Sequence, residues 1–494
     1  MTSTLDVQGY DPRTGAPVGD PVPASSAEDV DRTVSATVAT QPVWTGLPPV
    51  RRAEVVDELA ATLDAAVDDL VALADKETAL GDTRLRGEVG RTTGQLRMFA
   101  DLVRRGLYAD VVISRATKAR PDVRRMAHPI GPVAVFAASN FPLAFSVAGG
   151  DTASALAMGC PVVVKAHEAH PHTSNLVAGL LRDTFRKVGL PEDILGLVHG
   201  FAAGGALVRH PAIKAAGFTG SLRGGRALYD IACARPEPIP FYAELGSVNP
   251  VVVLPDAART RAADLAGEYA GSLTLGAGQF CTNPGLMFVP DEPELITAIA
   301  TAVGAASTGP LLSERIRDTY LGSVAERELP LLAKGSAADG AWSVTPRAWR
   351  VDLRTFAAQS ESLSEEIFGP AGLVVTYSSV DELLPILSTL DGSLTASIHA
   401  TDNEAADISA VAAALRPRVG RLIFNGWPTG VAVCWAMHHG GPWPATTATA
   451  HTSVGGTAIR RWQAPAAYQN WPHDLLPPEL RDDNPLNVPQ LIQD

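Results

Sequence analysis

The segment that decides the fold is Gly131-Pro132-Val133-Ala134-Val135-Phe136-Ala137-Ala138-Ser139-Asn140-Phe141-Pro142, which joins an apolar run to a polar turn. Its run has no polar residue, as expected of a strand that is covered on both faces. The runs of this kind, separated by helical stretches, are Val133–Ala137, Val162–Lys165, Leu195–His199, Ala215–Thr219 and Phe241–Leu245. Such alternation predicts a parallel sheet with the character of a Rossmann-like half.

The pattern extends in both directions from this sheet. Upstream, between residues 50 and 110, apolar residues recur at helical spacing and predict covering helices. Downstream, a second series predicts another α/β domain, with strands at Val251–Leu254, Leu286–Val289, Leu373–Tyr377, Ser393–Ala400 and Arg421–Phe424. The pattern between residues 304 and 350 is weak. The arginine-rich segment 112–129 and the tail after Tyr468, rich in proline and acids, do not have the composition of a core.

Bulk composition excludes several classes of function. A chain of 494 residues exceeds the size of one hydrophobic core, so we expect at least two domains. A net charge of −13 argues against nucleic acid or an anionic membrane as a partner. The most apolar stretch, 130–145, is too short for a membrane helix, and Met1–Tyr10 lacks the features of a secretory signal. Four scattered cysteines fit reduced thiols, and we expect a cytoplasmic protein.

Cys281 is the first candidate for chemistry. It lies in Gly276–Asn283, where small neighbours leave a thiol accessible. A buried structural cysteine is the alternative, and it is the commoner role of an isolated cysteine.

Asn140 and Glu244 are the next candidates, because each ends or follows a predicted strand, where open α/β sheets build their ligand sites. An asparagine amide can stabilise the oxyanion formed when a thiolate attacks a carbonyl. Burial raises the pKa of a carboxyl group, which suits Glu244 as a general base. The alternatives are a turn residue and a buried ion pair.

Five ordered motifs cover nearly the whole chain and resemble the signatures of the aldehyde dehydrogenase superfamily. They are Asn140-Phe141-Pro142, Phe218-Thr219-Gly220-Ser221, Glu244-Leu245-Gly246, Gly278-Gln279-Phe280-Cys281 and Glu366-Ile367-Phe368-Gly369-Pro370. The resemblance implies an α/β fold with a Rossmann-like cofactor domain (1–112 and 131–245, with 431–469 returning to it) and an α/β catalytic domain (246–430). It also implies a small oligomerisation element (113–130 and 470–494) and a homodimer or homotetramer.

The same resemblance implies roles for individual residues. Cys281 would attack an aldehyde, Asn140 and the Cys281 amide would hold the oxyanion, and Glu244 would activate water to hydrolyse a thioester. Lys165 and Glu168 would contact the adenosine ribose, Ser221 the pyrophosphate, and Glu366 with Phe368 the nicotinamide riboside. Ser221 has a simpler alternative role as a helix N-cap.

Further segments and single residues of the sequence bear on the identity of the substrate and the cofactor. The segments Phe424–Val431 and Gly440–Pro444 resemble a branch that oxidises 2,5-dioxovalerate (α-ketoglutarate semialdehyde), although bacterial fatty aldehyde dehydrogenases are similar there. Ser139 and Ser247 depart from common residues of the family without removing a reactive group. Glu168 favours NAD because it would repel the 2′-phosphate of NADP, but nearby His167, His170 and Arg209 leave both cofactors open.

A carboxylated aldehyde needs a cation in its pocket, and Phe145–Ala148 carries none. Arg84, Glu88, Arg91 and Gln95 recur at helical spacing, which predicts one helix face with Arg84, Arg91 and Gln95 as substrate contacts. A solvated stripe of ion pairs is the alternative. We predict no metal site, because Pro171 disrupts the spacing of His167, His170 and His172.

Two other functions compete with aldehyde oxidation by hydrolysis. An acylating dehydrogenase would pass the thioester to coenzyme A, but such enzymes generally lack a base at the position of Glu244. A catalytically silent binding protein of the family would need neither Cys281 nor Glu244, and this chain has both.

Overall fold

The computed structural model describes residues 6–494. The first five residues of Met1–Tyr10, the segment in which we predict no secretory signal, lie outside this range. The first large sheet has five parallel strands in the spatial order Leu195–Val198, Val162–Lys165, Val133–Phe136, Ala215–Thr219 and Phe241–Glu244. The five predicted strands are therefore confirmed to within one residue at their ends.

The strand order of this sheet creates a binding crevice. From Val133–Phe136 the chain first adds two strands on one side, and then adds Ala215–Thr219 on the other. Ligands bind outside the carboxyl ends of the strands at such a switch point. Asn140 and Ser221 follow the two strands that flank it.

Helices cover this sheet, as the apolar spacing between residues 50 and 110 predicts. Val55, Leu59 and Leu63 are buried on one helix face, and Pro49 begins that helix where its missing N–H costs no hydrogen bond. The helices of this half are Ala27–Thr45, Pro49–Ala65, Val67–Thr78, Asp82–Arg104, Gly150–Met158, Pro171–Lys187, Phe201–Arg209 and Leu222–Cys233.

The second large sheet has seven strands. Their order is Leu331–Lys334, Arg347–Asp352, Ala371–Tyr377, Leu286–Pro290, Val251–Val253, Ser393–His399 and Val419–Phe424. Only the first strand is antiparallel to its neighbour. The helices around it are Pro255–Thr260, Ala262–Thr274, Pro293–Ala305, Glu314–Glu326, Leu353–Ala358, Ser360–Leu363, Val380–Leu387 and Ala405–Leu415.

Five of these seven strands match the second predicted series. The other two, Leu331–Lys334 and Arg347–Asp352, fall where the sequence pattern is weak. They lie at the edge of the sheet, and Lys334 and Arg347 interrupt the apolar alternation, so periodicity could not identify them.

A third sheet has four strands, in the order Gln463–Gln469, Val123–Pro129, Val111–Ser114 and Gln490–Gln493. It brings the arginine-rich segment and the C-terminal tail together, and it begins earlier than both predicted limits, residues 113 and 470. The division into domains and the oligomerisation role stay predictions.

The remaining regular structure is short. Two-stranded sheets pair Val7–Tyr10 with Pro17–Val22 and Ser307–Thr308 with Ser336–Ala337. The 3₁₀ turns are Glu192–Ile194, Leu275–Gly278, Asp402–Glu404, Arg416–Arg418, Gly456–Trp462, His473–Leu475 and Pro478–Leu480. Within residues 6–494 no helix is both long and apolar enough to span a membrane.

Candidate active site

The loop that carries Cys281 is held by unusual backbone geometry. After the helix Ala262–Thr274, Gly276, Ala277 and Gly278 all have positive φ angles. A Cβ atom at Gly278 would lie 2.2 Å from the carbonyl carbon of Gly369, so only glycine fits there. The carbonyl oxygen of Cys281 accepts a hydrogen bond of 2.8 Å from the Asn249 side chain. The half-buried thiol is thus fixed at one place.

Ser247, which departs from the residue common in the family, supports the same loop. Its hydroxyl donates to Oδ1 of Asn249 at 2.8 Å and accepts from the backbone N–H of Leu394 at 2.9 Å. The substitution therefore orients the asparagine that holds Cys281.

Glu244 and His439 meet the thiol of Cys281. Nε2 of His439 lies 3.5 Å from Sγ of Cys281 and 3.1 Å from Oε1 of Glu244. The hydroxyl of Ser453 donates to the other carboxylate oxygen of Glu244. Glu244 and His439 are both buried. A thiol, an imidazole and a carboxylate within contact distance form a centre that can exchange protons.

His439 is the functional residue that the sequence did not identify, since it could be interpreted only as surface or as the rim of a pocket. The structure buries it, and Oγ1 of Thr452 accepts a 2.7 Å hydrogen bond from its backbone N–H. It is separated from Cys281 by 158 positions and from Glu244 by 195. The glycine-rich sequence around His439 was the only feature that could have indicated its role.

The surroundings shift the pKa values of Cys281 and Glu244 in opposite directions. Burial, followed by the charge of Glu244, raises the pKa of the Cys281 thiol well above its usual value, while the guanidinium of Arg91 opposes this. Burial also favours neutral Glu244, but the imidazole of His439 and hydrogen bonds from His439 and Ser453 outweigh it and lower the pKa of that carboxyl. The expectation of a raised pKa at Glu244 is therefore wrong for this arrangement, because the sequence did not reveal those partners.

The raised pKa of Cys281 predicts how alkylation of this thiol depends on pH. Below its pKa the residue is a neutral thiol, so its alkylation by iodoacetamide should rise with pH to a midpoint above about 8.5, the value of an ordinary cysteine. Glu244→Gln removes a negative charge and should lower the midpoint by roughly one pH unit. Mass spectrometry of the Cys281 peptide measures the midpoint, with exposed Cys434 as the internal control. A midpoint that stays fixed or rises in the variant would refute this electrostatic assignment.

Asn140 lies beside the Cys281 loop. Its Nδ2 donates a 2.8 Å hydrogen bond to the carbonyl oxygen of Gln279, two residues before the cysteine. The backbone carbonyl oxygen of Asn140 accepts a 2.7 Å hydrogen bond from Nη2 of Arg84. An amide nitrogen has two hydrogens, so one remains for an oxyanion beside Cys281.

The helix face with Arg84, Glu88, Arg91 and Gln95 lies on the helix Asp82–Arg104 and points inward. Oε1 of Glu88 accepts from the N–H groups of Leu143 and Ala144, and Gln95 donates to the Ala144 carbonyl oxygen. Glu88 and Gln95 are buried, which contradicts a solvated stripe.

The guanidinium of Arg84 lies 5.0 and 4.8 Å from the ring centroids of Phe141 and Phe280, and its Nη1 is buried without a hydrogen-bond partner within residues 6–494. Arg91 has a similar environment. Its guanidinium lies over the rings of Phe141 and Phe145, at 5.4 and 5.2 Å from their centroids. Nε and Nη2 are buried and have no hydrogen-bond partner within residues 6–494. The rings pack with Phe280, and Val431, Val433 and Met437 lie against the same cluster. Phe280, the residue before Cys281, thus belongs to an aromatic cluster that holds a guanidinium group with unpartnered N–H groups.

The residues predicted to bind a nucleotide occupy two places. Lys165, at the end of its strand, forms an ion pair with Glu168, and Ser221 caps the helix Leu222–Cys233 by accepting from Gly224 N–H at 3.2 Å. Both positions lie at the carboxyl edge of the five-stranded sheet. The N-cap role of Ser221 is thus observed, and a pyrophosphate contact stays a prediction.

Glu366 and Phe368 line a small cleft together with Ser247 and Gly278. A Cβ atom at Gly246 would lie 2.4 Å from Oε2 of Glu366, so the glycine permits this close approach. The cleft adjoins the Cys281 loop, and a contact of Glu366 and Phe368 with the nicotinamide riboside stays a prediction.

Other sequence candidates lie apart from this centre. Nε2 of His170 is 2.9 Å from the carbonyl oxygen of Ala138, and His172 N–H donates to Glu77. Of the other cysteines, Cys160 is buried and Cys434 is exposed.

A fixed thiol with an imidazole and a carboxylate, next to the switch point of a Rossmann-like sheet, defines a class of enzyme with a cysteine nucleophile and a nucleotide cofactor. Comparison with known proteins agrees. Residues 2–442 match the model of the aldehyde dehydrogenase family. The chain therefore belongs to this family and is an NAD(P)-dependent aldehyde dehydrogenase.

Two relatives are similar along almost their whole length. Alpha-ketoglutaric semialdehyde dehydrogenase 2 of Azospirillum brasilense is 44% identical, covering 98% of this chain and 95% of the relative. Alpha-ketoglutaric semialdehyde dehydrogenase of Acinetobacter baylyi is 39% identical, covering 95% and 91%. The predicted family and its branch are thereby confirmed.

Solved structures confirm the fold. A mutant of aldehyde dehydrogenase C from Pseudomonas syringae, in complex with NAD+ and octanal, superposes with a TM-score of 0.80 at 24% identity, covering 96% of this chain and 95% of that one. The NAD+ complex of an aldehyde dehydrogenase from Bacillus cereus gives a TM-score of 0.81 at 21% identity, covering 94% and 93%.

Proposed function

We propose that this enzyme oxidises 2,5-dioxovalerate to 2-oxoglutarate. The observation that carries the proposal is the guanidinium of Arg91, whose Nε and Nη2 are buried without a hydrogen-bond partner in the aromatic cluster that contains Phe280, the residue before Cys281. The substrate has an aldehyde at one end and a carboxylate at the other, so it can meet the thiol and the guanidinium together. The names of the two relatives support the same substrate class.

The residues of the centre have distinct roles in this proposal. Cys281 loses its proton to His439 and attacks the aldehyde carbon, while Asn140 Nδ2 and the Cys281 amide stabilise the oxyanion. The bound nicotinamide supplies the hydride acceptor. Loss of hydride would leave a thioester on Cys281, and the proton taken from the thiol passes to solvent. Glu244 then removes a proton from the water that hydrolyses the thioester, which frees the carboxylate and the Cys281 thiol. The lowered pKa of Glu244, caused by His439 and Ser453, keeps the carboxyl ionised and so able to accept this proton.

Glu244 also supports hydrolysis over transfer to coenzyme A. The base that activates water is present and touches the imidazole beside the thiol. We therefore propose a non-acylating enzyme, in which added coenzyme A does not raise the steady-state rate.

For the cofactor we propose NAD or NADP, with NAD preferred. Lys165 and Glu168 form an ion pair at the sheet edge, where the adenosine ribose would contact them. A carboxylate can accept a hydrogen bond from a free 2′-hydroxyl but repels a 2′-phosphate. Ser221 would contact the pyrophosphate, and Glu366 with Phe368 the nicotinamide riboside.

For the assembly we propose a homodimer or homotetramer built through the four-stranded sheet. The strand Gln490–Gln493 forms one edge of that sheet, and Leu491 is 70% exposed. An exposed apolar edge strand is suited to pairing with another chain.

The test of the substrate is the rate of NADH or NADPH formation with 2,5-dioxovalerate, succinate semialdehyde and hexanal. We expect the highest kcat/KM with 2,5-dioxovalerate. A higher value with hexanal would replace this substrate by a broad aliphatic aldehyde, a function that the apolar side chains of Val431, Val433 and Met437 favour. No rate with any aldehyde, together with retained cofactor binding, would point to a silent binding protein.

Arg91→Ala should change selectivity more than activity. We expect the ratio of kcat/KM for 2,5-dioxovalerate to that for hexanal to fall roughly 10- to 100-fold, the worth of hydrogen bonds to a charged group. The ratio is the proper measure because Arg91 also affects the Cys281 thiol and so every substrate. Arg97→Ala, on the same helix but paired with Asp64 at the surface, is the matched control. An unchanged ratio in Arg91→Ala would exclude Arg91, and the same test applies to Arg84 and Gln95.

A further inference from the structure

We propose that Cys281, His439 and Glu244 form a zinc-binding site through which Zn²⁺ reversibly inhibits the enzyme. The proposal rests on the role of Cys281 as nucleophile, because a thiolate bound to a metal cannot attack an aldehyde. It concerns an inhibited state and adds no metal to the catalytic cycle.

The positions of the three donor atoms match one face of a zinc tetrahedron. With Zn–S near 2.3 Å and Zn–N or Zn–O near 2.0–2.2 Å, donor atoms in tetrahedral geometry are separated by about 3.4–3.6 Å. The observed separations are 3.5 Å for Sγ to Nε2 and 3.1 Å for Nε2 to Oε1. All three donor atoms lie within 4.8 Å of one another. Two of the three separations are therefore already close to those around a single zinc ion.

The chemistry of the donors also suits zinc. Thiolate, imidazole and carboxylate are its usual protein ligands, and three of them leave a fourth position for water. Zinc binding displaces the thiol proton to solvent, after which one thiolate and one carboxylate balance the charge of the ion. The guanidinium of Arg91 opposes the cation, so we expect an affinity weaker than that of a structural zinc site.

The surrounding residues hold two of the ligands in place. Ser453 donates to the second oxygen of Glu244, and Thr452 accepts from the backbone N–H of His439. The bond from Ser453 orients the carboxylate as hydrogen bonds to metal ligands do, and the bond to Thr452 fixes the backbone that carries His439. Apart from the metal, the arrangement needs only the conformation that the protein already has.

Equilibrium dialysis of the full chain against buffered Zn²⁺, without aldehyde or cofactor, tests the proposal. We expect one zinc ion per chain, removed by a chelator, and inhibition of aldehyde oxidation over the same range of concentration. Binding should be lost in Cys281→Ala and weakened at least about tenfold in His439→Asn. With Co²⁺ in place of Zn²⁺, a thiolate-to-cobalt absorption band should appear in the wild type and be absent from Cys281→Ala.

Matched controls exclude other thiols and imidazoles. His438→Asn and Cys434→Ser change the half-buried histidine next to His439 and an exposed cysteine, and they should bind zinc as the wild type does. Stoichiometric binding that survives Cys281→Ala, or that is lost in either control, would overturn the proposal, as would a complete lack of binding. Because dialysis requires no aldehyde, an error about the substrate would leave this result unaffected.

Discussion

Cys281→Ala should reduce aldehyde oxidation by a factor on the order of 10⁴ or more. The mutation removes the sulfur that would carry the thioester, and no other described thiol lies with Glu244 and His439. Losses of this size are typical when a covalent nucleophile is removed. The measurement is the initial rate of NADH or NADPH formation at saturating aldehyde.

A control separates loss of chemistry from loss of fold. Cys434→Ser changes an exposed thiol and should keep the wild-type rate, and nucleotide binding measured by fluorescence should persist in Cys281→Ala. A rate in Cys281→Ala within tenfold of the wild type would rule out this cysteine as nucleophile.

Glu244→Gln should slow hydrolysis of the thioester while the steps before it stay fast. Thiol attack and hydride transfer should persist, because removal of a negative charge beside Cys281 favours its thiolate. Hydrolysis of the thioester should slow by roughly 10²- to 10⁴-fold, the usual worth of a general base. Stopped-flow absorbance should therefore show one equivalent of reduced cofactor per active site in a rapid burst, and then a nearly flat steady state.

Asp151→Asn is not a suitable control, because its carboxylate pairs with buried Arg461. Glu237→Gln is better, since its carboxylate pairs with Lys214 at the surface and should leave both phases unchanged. Loss of the burst in Glu244→Gln would place the glutamate in an earlier step than hydrolysis.

The sequence predicted most of the fold because the buried strands are recognisable as continuous apolar runs. Strands such as Val162–Lys165 are covered on both faces, so their residues are uniformly apolar up to the last position. Strands near the end of a sheet, such as Arg347–Asp352, carry charged residues and lose that signal. Motif resemblance named Cys281, Glu244 and Asn140, and the structure brings Cys281 and Glu244 around a common imidazole.

What the sequence did not predict depends on long-range contacts. His439 has no motif, and its role is visible only when the chain places it between Cys281 and Glu244. The pKa of Glu244 is lowered because His439 and Ser453 contact it, and both are nearly 200 positions or more away in the chain. The inward orientation of Arg91 likewise depends on packing against Phe141 and Phe145. Helical spacing places residues on one face of a helix but does not determine whether that face points to the interior or to solvent.

The central claim is that an acyl group derived from 2,5-dioxovalerate resides on Cys281 during turnover. Its most direct test is peptide mass spectrometry of Glu244→Gln, quenched in acid after mixing with 2,5-dioxovalerate and NAD+. We expect a thioester on the peptide that contains Cys281, one per chain, formed only when cofactor is present and cleaved by hydroxylamine. An unmodified Cys281 peptide in the presence of reduced cofactor, or an adduct on another residue, would contradict it.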